Sequence, residues 1–90
     1  MIFSKENLLN NHYMWIEGPG NPAFSGTPSR RLFNRLNGDQ VLFIINSYGA
    51  LSDKFTVEEG RRIEEMISKE LPSETRSELS VIQWLKETLQ

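Results

Sequence analysis

Residues 25–35 combine small hydroxyl residues with arginines, a pattern that suits the binding of an anion. If a helix begins at Pro28, a favoured first helical residue, its free backbone N–H groups would attract a phosphate or a carboxylate. Arg31 and Arg35 would then lie one helical turn apart and form a small basic edge. The candidate anion-binding residues are Ser25, Gly26, Thr27, Arg30, Arg31 and Arg35. The competing interpretation leaves these arginines solvated or paired with the acidic helices, because surface charges usually contribute little.

Three aromatic side chains are placed where a partner could reach them. Trp84 lies on the last predicted helix and points away from its apolar side. It either packs under a neighbouring element or is an exposed anchor of the kind that dominates protein interfaces. Phe24 lies in a polar loop, where it either pins the loop to the core or meets a partner. Tyr48 follows a predicted strand, at the end where α/β sheets tend to bind ligands. The predicted partner-binding residues are therefore Phe24, Tyr48 and Trp84.

The residue types needed for metal binding and for much covalent catalysis are scarce. There is no cysteine, and His12 is the only histidine, which excludes disulfides, thiolate zinc sites, iron–sulfur clusters and multi-histidine metal sites. His12 could act as a general base, but no nucleophile or orienting carboxylate can be assigned to it. Residues 18–23 match the letters of a dinucleotide-binding fingerprint, but Pro22 prevents the helix that must follow directly. We expect no catalytic residue, no metal and no cofactor.

Five glutamates between residues 58 and 70 are numerous enough to suggest a carboxylate pair or a metal site. They alternate with arginine and lysine on the polar side of a predicted amphipathic helix, as in a solvent-exposed face held by ion pairs. We therefore predict that all five are exposed, namely Glu58, Glu59, Glu64, Glu65 and Glu70.

The chain has 90 residues, of which 38% are hydrophobic and 24% charged, and this predicts one soluble globular domain over residues 1–90. Its net charge of −2 argues against a generally basic nucleic-acid coat and against a polybasic membrane binder. The charge is uneven, with net +1 over residues 1–55 and net −3 over residues 56–90. No apolar run is long enough for a membrane span, and the N-terminus lacks the features of a signal peptide, so we expect a cytoplasmic protein.

The first forty residues predict a short helix, a strand, a loop and one ambiguous element. Ser4 is the expected N-cap of the short helix, and the aromatic run Tyr13–Ile16 predicts a buried strand. Glycines and prolines make residues 18–28 an irregular loop. The apolar spacing in residues 31–36 favours a helix that stops at Gly38, whereas an Asn-Gly turn there would join residues 31–36 to residues 41–45 as a hairpin.

The apolar run Val41–Ile45 has the composition of a central strand covered on both faces, because three of its five residues are β-branched. Asp39 could instead cap a buried helix that begins at Gln40, and hydrophobic periodicity alone does not separate these two structures. We favour the strand.

The second half predicts two helices. Thr56 and Glu59 have the spacing of a capping box at the start of the first helix, and Pro72 ends it. Gly60 lies within the apolar stripe of this helix, which indicates close approach of another backbone. The last helix begins at Ser73 or Ser77 and places its apolar residues on one side.

Together these patterns predict an α+β fold. A small β-sheet containing Tyr13–Ile16 and Val41–Ile45 would be packed by a C-terminal pair of helices, with a short N-terminal helix and a long Gly/Pro loop completing the domain.

The favoured function is a small non-enzymatic protein-interaction or regulatory module. It would bind a protein partner, or a second copy of itself, through residues 18–35 or through the helical face that carries Trp84. The alternative is recognition of nucleic acid or a phosphorylated ligand through Ser25–Arg35, with Tyr48 or Phe24 stacking on bases. The acidic balance of the chain makes nucleic acid the weaker of the two partners.

Overall fold

The structure is a computed structural model that describes residues 3–9, 13–14, 28–51, 55–72 and 75–89. A short 3-10 helix, Lys5–Asn7, is followed by three α-helices: α1 (Gly38–Gly49), α2 (Val57–Lys69) and α3 (Glu78–Leu89). Helix α1 packs against both α2 and α3 and is the central element. No helix in these ranges is long and apolar enough to cross a membrane.

The predicted α+β fold is wrong. Across the described ranges the structure contains no strand, and extended pairing is limited to two isolated bridges, Met14 with Asn37 and Leu32 with Ser77. The described residues form a small compact globule of three α-helices. Of the predicted strand Tyr13–Ile16, the first two residues are not in a strand, and the last two lie outside the described ranges.

The second predicted strand, Val41–Ile45, forms the middle of α1. Asn37 caps this helix, since its side-chain oxygen accepts a hydrogen bond of 3.3 Å from the Gln40 backbone N–H. The alternative of a buried helix is therefore correct, but this helix begins at Gly38 and its cap is Asn37 instead of Asp39. Helical spacing buries the apolar run against the two other helices, so its β-branched residues are stabilised by packing despite their modest helix propensity.

Neither interpretation of residues 31–36 is correct. They form neither a helix nor one arm of a hairpin with residues 41–45. Instead, residues 29–33 lie antiparallel to residues 76–79, and a turn closed by the Asn37 N–H and the Asn34 carbonyl leads into α1. The buried Gln40 side chain holds this extended backbone, because it accepts from the Asn34 N–H at 2.7 Å and donates to the Leu32 carbonyl at 2.8 Å.

The two predicted C-terminal helices are confirmed. The Thr56 hydroxyl accepts a hydrogen bond of 3.2 Å from the Glu59 N–H at the start of α2, which ends at Lys69 before Pro72. Ser77 starts α3, because its hydroxyl accepts from the Ser80 N–H at 3.1 Å.

Gly60 does lie at a close approach, but its neighbour is a ring and not a backbone. A Cβ added at Gly60 would overlap the buried ring of Phe3. The Asn46 amide fixes Phe3 in place by accepting from its N–H at 2.7 Å and donating to its carbonyl at 2.8 Å. The N-terminal residues are thereby part of the core, whose buried apolar members are Phe3, Tyr13, Val41, Ile44, Ile45, Ile63, Met66, Ile67, Leu71, Val81, Ile82 and Leu85.

Candidate functional site

Part of the predicted anion site lies outside the described ranges. The small residues at its start are not described. The same holds for three other features of the sequence, which are the aromatic residue before them, the only histidine, and the glycine-rich residues 18–23. The candidates concerned are Ser25, Gly26, Thr27, Phe24 and His12. The arginines of the site, and the two other aromatic candidates, are described.

Arg31 forms an ion pair with Glu78, and the Glu78 side chain is fully buried. Its guanidinium donates to Glu78 through Nε at 2.9 Å and through Nη2 at 3.2 Å, and it also lies over the Phe43 ring at 5.7 Å from the ring centre. Glu78 is 0% exposed. The sequence analysis did not single out this glutamate, because an acidic residue in the first turn of a helix is ordinarily a surface residue that complements the helix dipole.

Glu78 links three parts of the chain. In addition to the hydrogen bonds from Arg31, the Glu78 carboxylate accepts hydrogen bonds from the Gln40 side chain at 2.8 Å and from the Ser29 backbone N–H at 3.1 Å. Burial raises the pKa of the Glu78 carboxyl, but the hydrogen bonds from Arg31, Gln40 and Ser29 outweigh it and hold the pKa below its ordinary value of 4.5. This network therefore fastens the segment before α1 onto the start of α3.

The other two arginines do not converge with Arg31 on an anion site. Arg35 donates to the Leu71 carbonyl at 3.2 Å, at the end of α2. Arg30 is exposed. The predicted helical alignment of Arg31 with Arg35 is wrong, since residues 28–36 are not helical. Each of the three side chains thus has a different environment.

Tyr48 lies in the last turn of α1 and not in a loop after a strand. It is half-buried against the core and lines a cavity of about 370 Å³ beside the start of α2. The other residues that line this cavity are Thr56, Glu58, Glu59, Arg62 and Leu89. The mixed charges at its rim do not single out one ligand class.

Trp84 packs partly against the core and has one open side. It is half-buried against the core, and it also lines a shallow groove of about 580 Å³ along the outer side of α3. Leu79, which is 46% exposed, lies in the same groove, and Lys86 and Glu87 add one charge of each sign. A tryptophan that is held by the core but open on one side has little conformational freedom to lose when a partner binds.

The groove is continuous with the backbone pairing at the start of α3. We call residues 29–33 and 76–79 the paired segments. The Leu79 N–H donates to the Ser29 carbonyl at 3.1 Å, and Leu32 bridges to Ser77. Leu32 is 72% exposed, the largest exposed fraction among the described large apolar side chains. The paired segments therefore carry two exposed leucines, of which Leu79 lies in the groove that contains Trp84 and Leu32 bridges to Ser77, two positions before Leu79.

Glu64 is a second residue that the sequence analysis misplaced. It is 1% exposed, although the pattern of charges along α2 predicted an exposed face. Its carboxylate accepts from the Tyr13 hydroxyl at 2.5 Å and from the Leu9 N–H at 2.9 Å. The Glu64 carboxylate therefore fastens Leu9 and Tyr13 to α2. The sequence indicates this role only weakly, because its one sign is that Glu64 directly follows Ile63 of the apolar stripe.

The described residues contain neither a metal-binding cluster nor a buried polar side-chain atom without a hydrogen bond. They contain no group of three or more histidine or acidic side chains placed to hold a metal ion. Every buried side-chain nitrogen and oxygen among them has a hydrogen-bond partner, as is usual inside folded proteins. The strongest candidate for a site is thus the surface formed by the paired segments and the α3 groove. No protein-family model, no curated protein and no solved structure matches this chain.

Proposed function

We propose that the protein is a small non-enzymatic interaction module that docks a protein partner on the paired segments and the adjoining α3 groove. The observation that carries this proposal is the exposure of Leu32 and Leu79 on hydrogen-bonded backbone, with Leu79 in the same groove as half-buried Trp84. Exposed apolar side chains grouped beside a fixed aromatic residue are characteristic of interaction sites.

The size of the available apolar surface supports a binding role. Burying a fully exposed leucine side chain is worth about 1.5–3 kcal/mol. Leu32 and Leu79 are 72% and 46% exposed. Covering both would therefore contribute about 2–3.5 kcal/mol, or roughly 30- to 300-fold in affinity, before any contact with Trp84.

Recognition of nucleic acid or of a phosphorylated ligand through Ser25–Arg35 receives less support. Arg31 is held by Glu78 and Arg35 by the Leu71 carbonyl, so two of its three arginines have partners within the chain. The helix predicted to begin at Pro28, whose N-terminus would have supplied backbone donors, does not form. Helix α1 begins ten residues later, at Gly38.

The proposal is tested by comparing protein captured from a lysate of the cells that make this chain. The bait is the wild type, the double variant Leu32→Ser/Leu79→Ser, or Leu51→Ser. Leu51 is 62% exposed and lies outside the proposed surface, which makes it a matched control. We expect quantitative mass spectrometry to identify proteins that the wild type and Leu51→Ser both retain. The double variant is expected to retain these proteins in amounts at least about tenfold lower.

Circular dichroism must show that all three baits are folded, which the exposure of the substituted side chains predicts. Equal retention by the double variant would refute the proposed surface. Turnover of a substrate by the purified protein, abolished by Arg30→Ala, would refute the non-enzymatic assignment.

A further inference from the structure

We infer that the partner presents carboxylates beside apolar side chains, as an acidic amphipathic segment of another protein does. This inference rests on the proposed function, and it assigns a chemistry to the occupant of the same surface. It is carried by Arg30 and Arg76, two arginines on the paired segments that the proposed function has not used.

The two arginines lie one on each of the paired segments. Arg30 is two residues before Leu32 on one segment, between Ser29 and Arg31, whose carbonyls accept from α3 at 3.1 and 2.9 Å. Arg76 is on the other segment, and its carbonyl accepts from the Phe33 N–H at 2.6 Å. Hydrogen-bonded backbone thus brings the segments that carry Arg30 and Arg76 side by side, although the two arginines are 46 positions apart in the sequence.

Both arginines are exposed, and neither forms an ion pair with another described residue. The neighbouring Arg31 differs, because its charge is already neutralised by buried Glu78. The paired segments therefore present two available guanidinium groups on a chain whose net charge is −2. A guanidinium binds a carboxylate through two parallel hydrogen bonds, which adds direction to the electrostatic attraction.

The apolar neighbours distinguish a protein carboxylate from a phosphate backbone. Exposed Leu32 and Leu79 gain free energy when apolar side chains cover them. Phosphates and sugars do not provide such a cover, and single-stranded bases are recognised mainly by stacking on aromatic side chains. An acidic segment that also carries apolar residues satisfies both features of the surface.

The same charges argue against a second copy of this chain as the occupant. A two-fold dimer interface brings each surface patch against itself. Such a dimer would bring Arg30 and Arg76 of both copies, four like charges, into one interface, and like charges brought together destabilise an interface.

The experiment is a titration of the isotope-labelled full chain with two synthetic amphipathic peptides. Both are about 18 residues long, enough to hold a helix, with leucines at helical spacing. Glutamates fill the polar positions of one peptide and lysines those of the other. We expect saturable amide shifts at residues 29–33 and 76–79 with the glutamate peptide alone, and an affinity that falls roughly tenfold between about 0.05 and 0.3 M salt.

The variant Arg30→Glu/Arg76→Glu tests the role of the two arginines. We expect it to lose at least about tenfold in affinity for the glutamate peptide. Arg62→Glu is the matched control, because Arg62 is an exposed arginine on α2, and we expect it to bind as the wild type does. Equal loss in both variants would overturn the inference, since it would indicate a general charge effect.

The remaining outcomes separate the inference from the proposed function. Equal binding of both peptides at residues 29–33 and 76–79 would overturn the acidic partner and leave the docking surface intact. No shift in these residues with either peptide would overturn both. Saturable binding of a single-stranded oligonucleotide at the same residues would replace the acidic partner with nucleic acid. A dimer in light scattering that Leu32→Ser dissociates would replace it with a second copy.

Discussion

Replacing Glu78 with glutamine keeps the shape of the side chain but removes its charge and one acceptor. In the native protein the carboxylate is 0% exposed and accepts from Arg31, from Gln40 and from the Ser29 backbone at 2.8–3.2 Å. The glutamine amide would direct N–H groups at one of these donors. At least one donor that was satisfied in the folded protein would then be left without its acceptor.

The expected loss follows from the geometry of the network. A hydrogen bond to a charged group contributes about 1.5–3 kcal/mol, and breaking a buried ion pair costs about 3–5 kcal/mol. The range for a buried ion pair does not apply, because the Arg31 side chain is 33% exposed and regains contact with water when it is released. We expect Glu78→Gln to lower the free energy of unfolding by about 2–3 kcal/mol, a large share of the 5–15 kcal/mol typical of a domain.

The assay is urea unfolding followed by circular dichroism at neutral pH, with the unfolding free energy obtained by linear extrapolation. In thermal unfolding the same loss would lower Tm by about 10–20 °C for a chain of this length. Glu65→Gln is the control, since Glu65 pairs with Lys69 on the exposed face of α2 and its side chain is 60% exposed. We expect the control to change the unfolding free energy by less than about 0.5 kcal/mol.

The effect also depends on pH in a defined direction. The folded pKa of Glu78 lies below its ordinary value of 4.5. The stabilisation is therefore fully present above pH 4.5 and is lost as the pH falls through the folded pKa. The difference in unfolding free energy between wild type and Glu78→Gln should shrink as the pH falls below 4.5. A difference under about 1 kcal/mol at neutral pH would refute the buried network.

Three further substitutions test other contacts by urea unfolding. Gly60→Ala is expected to destabilise the protein by about 1–3 kcal/mol, because the new Cβ overlaps the Phe3 ring, and to become neutral or stabilising when Phe3 is already alanine. Tyr13→Phe removes a hydrogen-bond donor from the buried Glu64 carboxylate and is expected to lower the unfolding free energy by about 1–3 kcal/mol. Asn37→Ala removes the cap of α1, which is expected to lower it by about 1 kcal/mol.

Each of these predictions has an outcome that contradicts it. A stabilising Gly60→Ala in the otherwise native chain would show that the Phe3 ring is not seated against α2. Tyr48→Phe is the control for the tyrosine substitution, because Tyr48 is half-buried and its hydroxyl has no hydrogen bond to a described residue. Equal losses for the two tyrosines would contradict the pairing of Tyr13 with Glu64. An unchanged stability in Asn37→Ala would show that α1 does not depend on its cap.

The candidate surface could be predicted only in part. Trp84 was recognised from its position opposite the apolar side of α3, which is a property of helical spacing alone. Leu32 belongs to the segment 31–36, whose apolar spacing favoured a helix that does not form, and it is 72% exposed. For Arg31, the competing interpretation of pairing with the acidic helices is the one that the structure shows, although the sequence does not reveal that the partner is a glutamate 47 positions later.

The α2 and α3 helices follow from the sequence by itself. Each begins at a hydroxyl residue that binds a backbone N–H three positions later, and each has apolar residues at helical spacing. These interactions are local, so a single segment contains all the information that specifies them. The composition likewise determined the absence of thiol chemistry.

The form of the first half was decided by tertiary structure. Val41–Ile45 is composed like a strand, but burial between α2 and α3 stabilises it as part of a helix. Residues 29–33 are extended because their backbone groups find partners in Gln40 and at the start of α3, both distant in the sequence. Where local propensities are nearly balanced, such distant hydrogen bonds and packing decide the conformation, and no local pattern encodes them.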